Sequence, residues 1–119
     1  MQDGKIEINR TEDVALVRFG LSSICACNDV EEISQTLRSY VCHNHPPKVV
    51  IDFTNVRFFS SQMLGLLVDL WKKLKGFGGF LVISGIDPQL FRVFRITNLD
   101  KIFAFAPDSQ AAMAMTQQN

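Results

Sequence analysis

The segment 48–84 constrains the fold more than any other part of the chain. Residues 48–53 are almost continuously apolar, as expected for a strand that is covered on both faces. A second apolar run over residues 79–84 follows an intervening helical pattern. A strand, a helix and a second strand in this order predict a βαβ unit with a right-handed parallel crossover. The sequence therefore predicts an α/β fold.

The helix of this unit is predicted to begin at Ser61, with Ser60 as an N-cap that accepts a hydrogen bond from an unpaired backbone N–H group. One broad side of the helix is apolar and carries Met63, Leu64, Leu66, Leu67, Leu70, Trp71 and Leu74. The other side carries Gln62, Gly65, Asp69, Lys72 and Lys73. We expect the apolar side to pack on the sheet, and Gly76 to be the C-cap of the helix.

Two strands and a helix are predicted before this unit. Residues 5–9 alternate between polar and apolar side chains, and residues 14–19 form their hairpin partner. Residues 20–27 have an irregular pattern and are predicted to form a loop with some extended backbone. Asn28 is predicted to cap a helix that ends before the two prolines of residues 45–47.

After the βαβ unit, Asp87 and Pro88 predict the start of a third helix. A short strand over residues 102–105 and a small helix capped by Asp108 complete a mixed sheet with helices packed on it. The polar residues 116–119 are expected to be frayed. At 119 residues, the chain is predicted to form a single domain, residues 1–119.

The charge balance and hydropathy argue against several classes of protein. Twelve basic and twelve acidic residues give no net charge, so we expect no nucleic-acid-binding surface. No apolar run approaches the ~20 residues of a membrane span, and the first residues do not resemble a signal peptide. We therefore expect a cytoplasmic protein. Three cysteines, an odd number, fit a reducing compartment better than a disulfide framework.

The cysteines and histidines also raise the question of a zinc site, formed by Cys42, His43 and His45 with Cys25 and Cys27. The two groups flank a predicted helix roughly 20 Å long, and no C-x-x-C pair is present, so we expect no metal and no cofactor. Enzymatic activity is not expected either. Both histidines precede the strand 48–53, whereas Ser61 lies beyond its end, which separates a nucleophile from its base.

Residues 49–67 are predicted to form a strand that ends in an aspartate, a short loop with two apolar residues, and a helix that begins with serines. The defining residues are Asp52, Val56, Phe58, Ser61, Leu64 and Gly65. This order resembles the phosphorylation motif of STAS domains, the fold of bacterial anti-sigma factor antagonists. Residues 96–103, followed by 108–112, resemble that family's closing Leu-Thr-Gly-Leu-Asp-Lys-Val-Phe and its terminal helix. The resemblance covers roughly residues 5–115.

The resemblance implies a protein-binding switch in transcription regulation. In the family, the unphosphorylated antagonist binds an anti-sigma factor, which is itself a Ser kinase of the GHKL type and phosphorylates the antagonist to end the interaction. The implied phosphate acceptor is Ser61, with Ser60 as the alternative. The expected partner-binding residues are Phe59, Ser60, Ser61, Gln62, Gly65 and Asp69. A homodimer is left open.

Three positions depart from the family pattern. Ser60 stands in place of an acidic residue, Gln62 in place of Ser or Thr, and Met63 in place of Gly. These departures favour an alternative function, in which the chain is a STAS-fold scaffold subunit of a transport or signalling assembly and is not phosphorylated.

Overall fold

The computed structural model describes residues 6–24 and 27–117, apart from the side chains of residues 27 and 117. The seven strands are β1 (Ile6–Thr11), β2 (Val14–Phe19), β3 (Ser23–Ile24), β4 (Lys48–Asp52), β5 (Phe58–Phe59), β6 (Phe80–Ser84) and β7 (Ala104–Ala106). The four helices are α1 (Cys27–Asn44), α2 (Ser61–Gly76), α3 (Pro88–Ile96) and α4 (Ser109–Gln117), and a 3-10 turn spans Leu99–Lys101. Within these residues, no helix is long and apolar enough to cross a membrane.

Five strands form one mixed sheet in the order β1-β2-β4-β6-β7. The hairpin β1–β2 is antiparallel, and all the other neighbours are parallel. In the β4–β6 pair, Val50 lies opposite Val82 and Asp52 opposite Ser84. The prediction of a mixed α/β sheet built around a βαβ unit is therefore confirmed. Strands β3 and β5 form a separate parallel pair.

The two faces of the sheet are covered by different helices because successive side chains of a strand point to opposite faces. Ile51 and Ile83 belong to the larger core, which includes the apolar sides of α1, α2 and α3. Val50 and Val82 point the other way and pack with Ala112 of α4. The sequences of β4 and β6 are therefore almost continuously apolar because both faces of these strands are buried.

Two helix ends differ from the predictions. Helix α1 already includes Cys27, so Asn28 lies in its first turn and not at the N-cap. The helical spacing of apolar residues does not distinguish a start at residue 27 from a start one residue later. Gly76 is the last residue of α2, and the C-cap is Phe77. The left-handed backbone that ends the helix belongs to Gly78, with φ of 80°, because glycine adopts this conformation without steric cost.

The end of the chain also differs from its prediction. The 3-10 turn displaces the last strand to Ala104–Ala106, two residues later than predicted at its start. Thr116 is a helical residue with no exposed surface, and its hydroxyl donates to the Met113 carbonyl at 2.7 Å. It is therefore packed, not frayed, while residues 118–119 lie outside the described residues.

Candidate functional site

The connection from β4 to α2 is held by backbone hydrogen bonds on both sides. At its start the Phe53 N–H donates to the Ser84 carbonyl at 2.8 Å, and the Val56 N–H closes a turn on the Phe53 carbonyl at 2.9 Å. At its end the Ser60 N–H donates to the Ile24 carbonyl at 3.0 Å. The residues before α2 are thus tied to both β6 and β3, which fixes the start of the helix.

Asp52, the aspartate at the end of β4, shapes this connection. Its side chain is 7% exposed. One carboxylate oxygen accepts hydrogen bonds from the Thr54 backbone N–H, at 3.0 Å, and from the Thr54 hydroxyl. The other oxygen lies 3.4 Å from the Arg18 Nε of β2. Asp52 therefore serves as an anchor that orients the first residues of the loop.

Phe58 and Phe59 form β5 and point in opposite directions, as residues of a strand do. The Phe58 side chain is 54% exposed, whereas that of Phe59 is 5% exposed. The Phe59 ring lies 5.5 Å from the ring centroid of Phe53 and 6.0 Å from that of Phe94. Phe59 is therefore a core residue with little exposed surface for the partner contact predicted for it, and the exposed aromatic ring at this surface is that of Phe58.

The two serines at the start of α2 have different environments. Ser60 occupies the N-cap with an extended backbone, and its carbonyl accepts from the Met63 N–H at 3.0 Å. The predicted cap position is confirmed, but the side chain makes no capping bond. The Ser60 Oγ is instead buried and has no hydrogen-bond partner among the described residues. Ser61, the first helical residue, is exposed.

The polar side of α2 presents an exposed strip that continues from Ser61. Gln62 and Gly65 are exposed, and a Cβ atom added to Gly65 would meet no atom within 4 Å. Asp69, two turns further along the helix than Ser61, is partly exposed, and two basic side chains neutralise its charge. Its carboxylate lies 2.9 Å from the Arg38 Nε of α1 and 3.1 Å from the Lys73 Nζ.

A groove lies on each side of this strip. The groove between α2 and α3 has a volume of about 280 Å³ and is lined by Arg57, Phe58, Phe59, Ser60, Ser61, Leu64, Gln89, Leu90 and Val93. The groove between α1 and α2, of about 390 Å³, is lined by Val30, Glu31, Ser34, Arg38, Gln62 and Leu66. The sequence did not reveal the α3 residues, because only the packing of α3 beside the start of α2 brings them to Ser61. Arg57, which lies in the loop just before β5, was also missed.

The cysteine and histidine residues do not gather into a site within the described part of the chain. Cys42 is an exposed free thiol near the end of α1, and the His43 ring bonds to the Ser39 carbonyl at 2.8 Å. No group of three His, Cys, Asp or Glu side chains with the geometry of a metal site occurs among residues 6–24 and 27–117. Cys25 and the Cys27 side chain lie outside the described residues.

A family model supports the assignment that the motif and the sheet order indicate, because residues 5–112 match the STAS domain. The anti-sigma-B factor antagonist of Listeria monocytogenes is 40% identical over 52 residues, which are 44% of this chain and 46% of that protein. The chain thus spans about half the length of this curated relative.

Solved structures share the whole fold. An anti-sigma-factor antagonist (STAS) domain protein from Planctomyces limnophilus superposes with a TM-score of 0.79 at 26% identity, covering 93% of this chain and 97% of its own. The phosphorylated form of SpoIIAA, a Bacillus cell fate determinant, superposes with a TM-score of 0.74 at 16% identity, covering 92% and 98% of the two chains. With both motif blocks, the sheet order and the matched residues in agreement, the chain belongs to the STAS domain family.

Proposed function

We propose that this chain is an anti-sigma factor antagonist whose binding to its partner is controlled by phosphorylation of Ser61. The observation that carries the proposal is the contrast between the two serines at the start of α2. Ser61 is exposed, whereas the Ser60 hydroxyl is buried. A kinase needs access to the attacking hydroxyl, so Ser61 is the acceptor and Ser60, the alternative, is closed to it.

The surroundings of Ser61 suit a phosphate. The first N–H groups of a helix lack intrahelical acceptors, and the helix dipole places partial positive charge there. Arg57 lines the same groove as Ser61, and none of the lining residues of that groove is acidic. A phosphate on Ser61 therefore finds donors and a cation locally, so that phosphorylation leaves the fold stable.

The same phosphate opposes docking of a partner. It adds about −1.5 to −2 charges at neutral pH, in the middle of a surface that offers Phe58 for apolar contact and Gly65 for close backbone approach. Removing this charge from water against a partner surface that lacks a matching cation costs more free energy than the other contacts of the interface contribute. The unphosphorylated chain is thus the binding form.

The partner we propose is an anti-sigma factor that is also a Ser kinase of the GHKL type, in the cytoplasm of a bacterium. The chain itself acts by binding and catalyses no reaction. The name of the Listeria relative, an anti-sigma-B factor antagonist, supports this class of partner. The contact surface comprises Phe58, Ser61, Gln62 and Gly65, with Asp69 at its edge through the ion pair with Arg38.

The second candidate is the scaffold subunit that is not phosphorylated, which the departures at residues 60, 62 and 63 favour. Burial reduces the weight of two of them. Met63 has no exposed surface, and the Ser60 hydroxyl is buried, so neither side chain presents its functional group to a partner. Gln62 alone changes the exposed surface, which leaves the switch as the better supported function.

The test is phosphopeptide mapping after incubation with the cognate kinase and ATP, applied to the natural chain and to the variants Ser61→Ala and Ser60→Ala. We expect one phosphate on Ser61 in the natural chain, one in Ser60→Ala and none in Ser61→Ala. Modification confined to Ser60 would move the site. An unmodified natural chain, with a kinase that phosphorylates a control antagonist, would support the scaffold.

A further inference from the structure

A third groove lies at the opposite end of α2 from Ser61. Because α2 contains sixteen residues, its two ends are separated by about 24 Å. The groove has a volume of about 480 Å³, and its lining includes Trp71, Lys75, Phe80, Leu81, Lys101 and Ile102. None of these residues lines the grooves beside Ser61, so this is a separate surface.

The groove lies beside the start of β6, an interior strand of the sheet. Strand β6 begins at Phe80, and its outer neighbour β7 pairs with it over residues 82–84. Phe103 and Ala104, where the chain enters β7, also line the groove, and Leu81 is only 3% exposed. The groove therefore offers a ligand side chains and not a free strand.

The walls of the groove are apolar. Ile102 is 37% exposed even though it is a large aliphatic residue, and Trp71 and Phe80 are both partly exposed. Partly exposed aromatic and aliphatic side chains in a groove are anchor sites for the apolar residues of a partner segment.

The rim of the groove is positively charged. The Lys75 Nζ lies 4.7 Å from the centroid of the Trp71 ring, which holds it at the groove in a cation–π contact. Lys101 is exposed. Neither lysine forms an ion pair within the part of the chain that the structure describes, and no lining residue of the groove is acidic. The complementary ligand therefore carries carboxylates.

We propose that this groove binds a short segment of a partner protein in which apolar residues are flanked by Asp or Glu. The apolar residues of the groove lie in a concave surface, which suits a peptide better than the flat surface of an anionic membrane. The two lysines provide charge complementarity, and the apolar side chains provide the contact area. This surface does not depend on Ser61, so its occupation and the phosphorylation switch are separable.

The test uses the whole chain and a displayed library of random twelve-residue peptides, panned on the natural protein. The selected peptides are synthesised with a fluorescent label and titrated against the natural chain, Lys75→Glu/Lys101→Glu, and the control Arg10→Glu/Lys72→Glu. The control has the same change in net charge, but its two sites lie outside the lining of the groove. Thermal unfolding confirms that both double variants are folded.

We expect the selected peptides to be rich in Asp and Glu beside apolar residues, and to bind Lys75→Glu/Lys101→Glu at least tenfold more weakly than the control. Ser61→Asp should keep its affinity, which separates this site from the proposed switch. In isotope-labelled protein, the amide resonances of Lys101 and Ile102 should shift on titration. Peptides without acidic enrichment, or with equal affinity for both double variants, would overturn the proposal. Lysine-dependent binding to phosphatidylserine vesicles without binding of any peptide would assign the groove to a membrane instead.

Discussion

Ser60 and Asp87 hold the same position at the start of two helices but differ in what their side chains do. The Asp87 carboxylate accepts from the Gln89 N–H at 2.8 Å, whereas the Ser60 side chain makes no capping bond. Removing a side chain that caps a helix costs about 0.5–2 kcal/mol. A hydroxyl that is buried without a partner contributes no such bond and costs free energy through desolvation.

We therefore predict that Asp87→Ala lowers the free energy of unfolding by about 1 kcal/mol, and that Ser60→Ala changes it by less than about 0.5 kcal/mol or raises it slightly. Urea unfolding of the two variants beside the natural chain measures both values. Equal losses in the two variants would show that Ser60 caps α2 in solution.

Gly85 and Gly65 form a second contrast. Gly85 has φ of 63°, and an added Cβ would lie 3.0 Å from the Asp52 Oδ1 and would also crowd Thr54. Gly65 lies in an exposed part of α2 with open space around it. Gly85→Ala should lower the free energy of unfolding by about 1–3 kcal/mol. Gly65→Ala should raise it by up to about 1 kcal/mol, since alanine is the better helix former. A harmless Gly85→Ala would mean that the Asp52 turn is not rigid.

The identity of the site residues was only partly predictable from the sequence. The position of Ser61 at the start of a helix follows from local pattern, because the helical spacing of leucines begins immediately after it. Which of Phe58 and Phe59 is exposed depends on how β5, only two residues long, pairs with β3. Such a short strand has no periodicity of its own, so the sequence could not show that Phe58 is the exposed ring of the two.

Helix α2 supplies both the site and a large part of the core. Five of its side chains are buried: Met63, Leu66, Leu67, Leu70 and Leu74. Leu67 has no exposed surface and belongs to the larger core of the sheet. Truncating such a side chain leaves a cavity that the neighbours fill only in part.

We predict that Leu67→Ala lowers the free energy of unfolding by about 2–5 kcal/mol. Leu64→Ala, on the same helix but partly exposed, removes the same atoms and should cost clearly less. Urea unfolding with a common m-value compares the two. A loss below about 0.5 kcal/mol for Leu67→Ala would show that the rotation of the helix about its axis is wrong.

The elements that were predicted well are those with long periodic patterns. The hairpin β1–β2 is visible in the sequence as an alternation of polar and apolar residues. The βαβ unit is visible as two apolar runs separated by a helical spacing of leucines. The pair β3–β5 was missed because two-residue strands form only through contacts with each other. The last strand was displaced because Asn98, with a left-handed φ of 63°, introduces a 3-10 turn that hydropathy does not reveal.

The arrangement of helices around the sheet could not be read from the sequence. The apolar spacing of each helix shows that one of its sides is buried. Because both faces of β4 and β6 are apolar, the sequence does not show which face of the sheet each helix covers. The structure places α4 alone on one face and α1, α2 and α3 on the other. In this arrangement Ser61 is exposed at the start of α2 and the groove at Trp71 lies near its end, so that one helix contributes to two separate surfaces.

The proposed switch requires that a negative charge at Ser61 act on the partner and not on the fold. We predict that Ser61→Asp unfolds at nearly the same temperature as the natural chain, because the start of α2 favours an anion. Differential scanning calorimetry measures this. A large drop in the unfolding temperature would mean that the charge acts by disrupting the domain.

The most direct measurement is the affinity for the proposed partner, an anti-sigma factor, determined by isothermal titration calorimetry for the natural chain, Ser61→Ala and Ser61→Asp. The account predicts that Ser61→Ala binds as the natural chain does. It predicts that Ser61→Asp binds at least tenfold more weakly, a difference of about 1.4 kcal/mol. Equal affinities for Ser61→Asp and Ser61→Ala, with both variants folded, would contradict the claim that Ser61 controls the interaction.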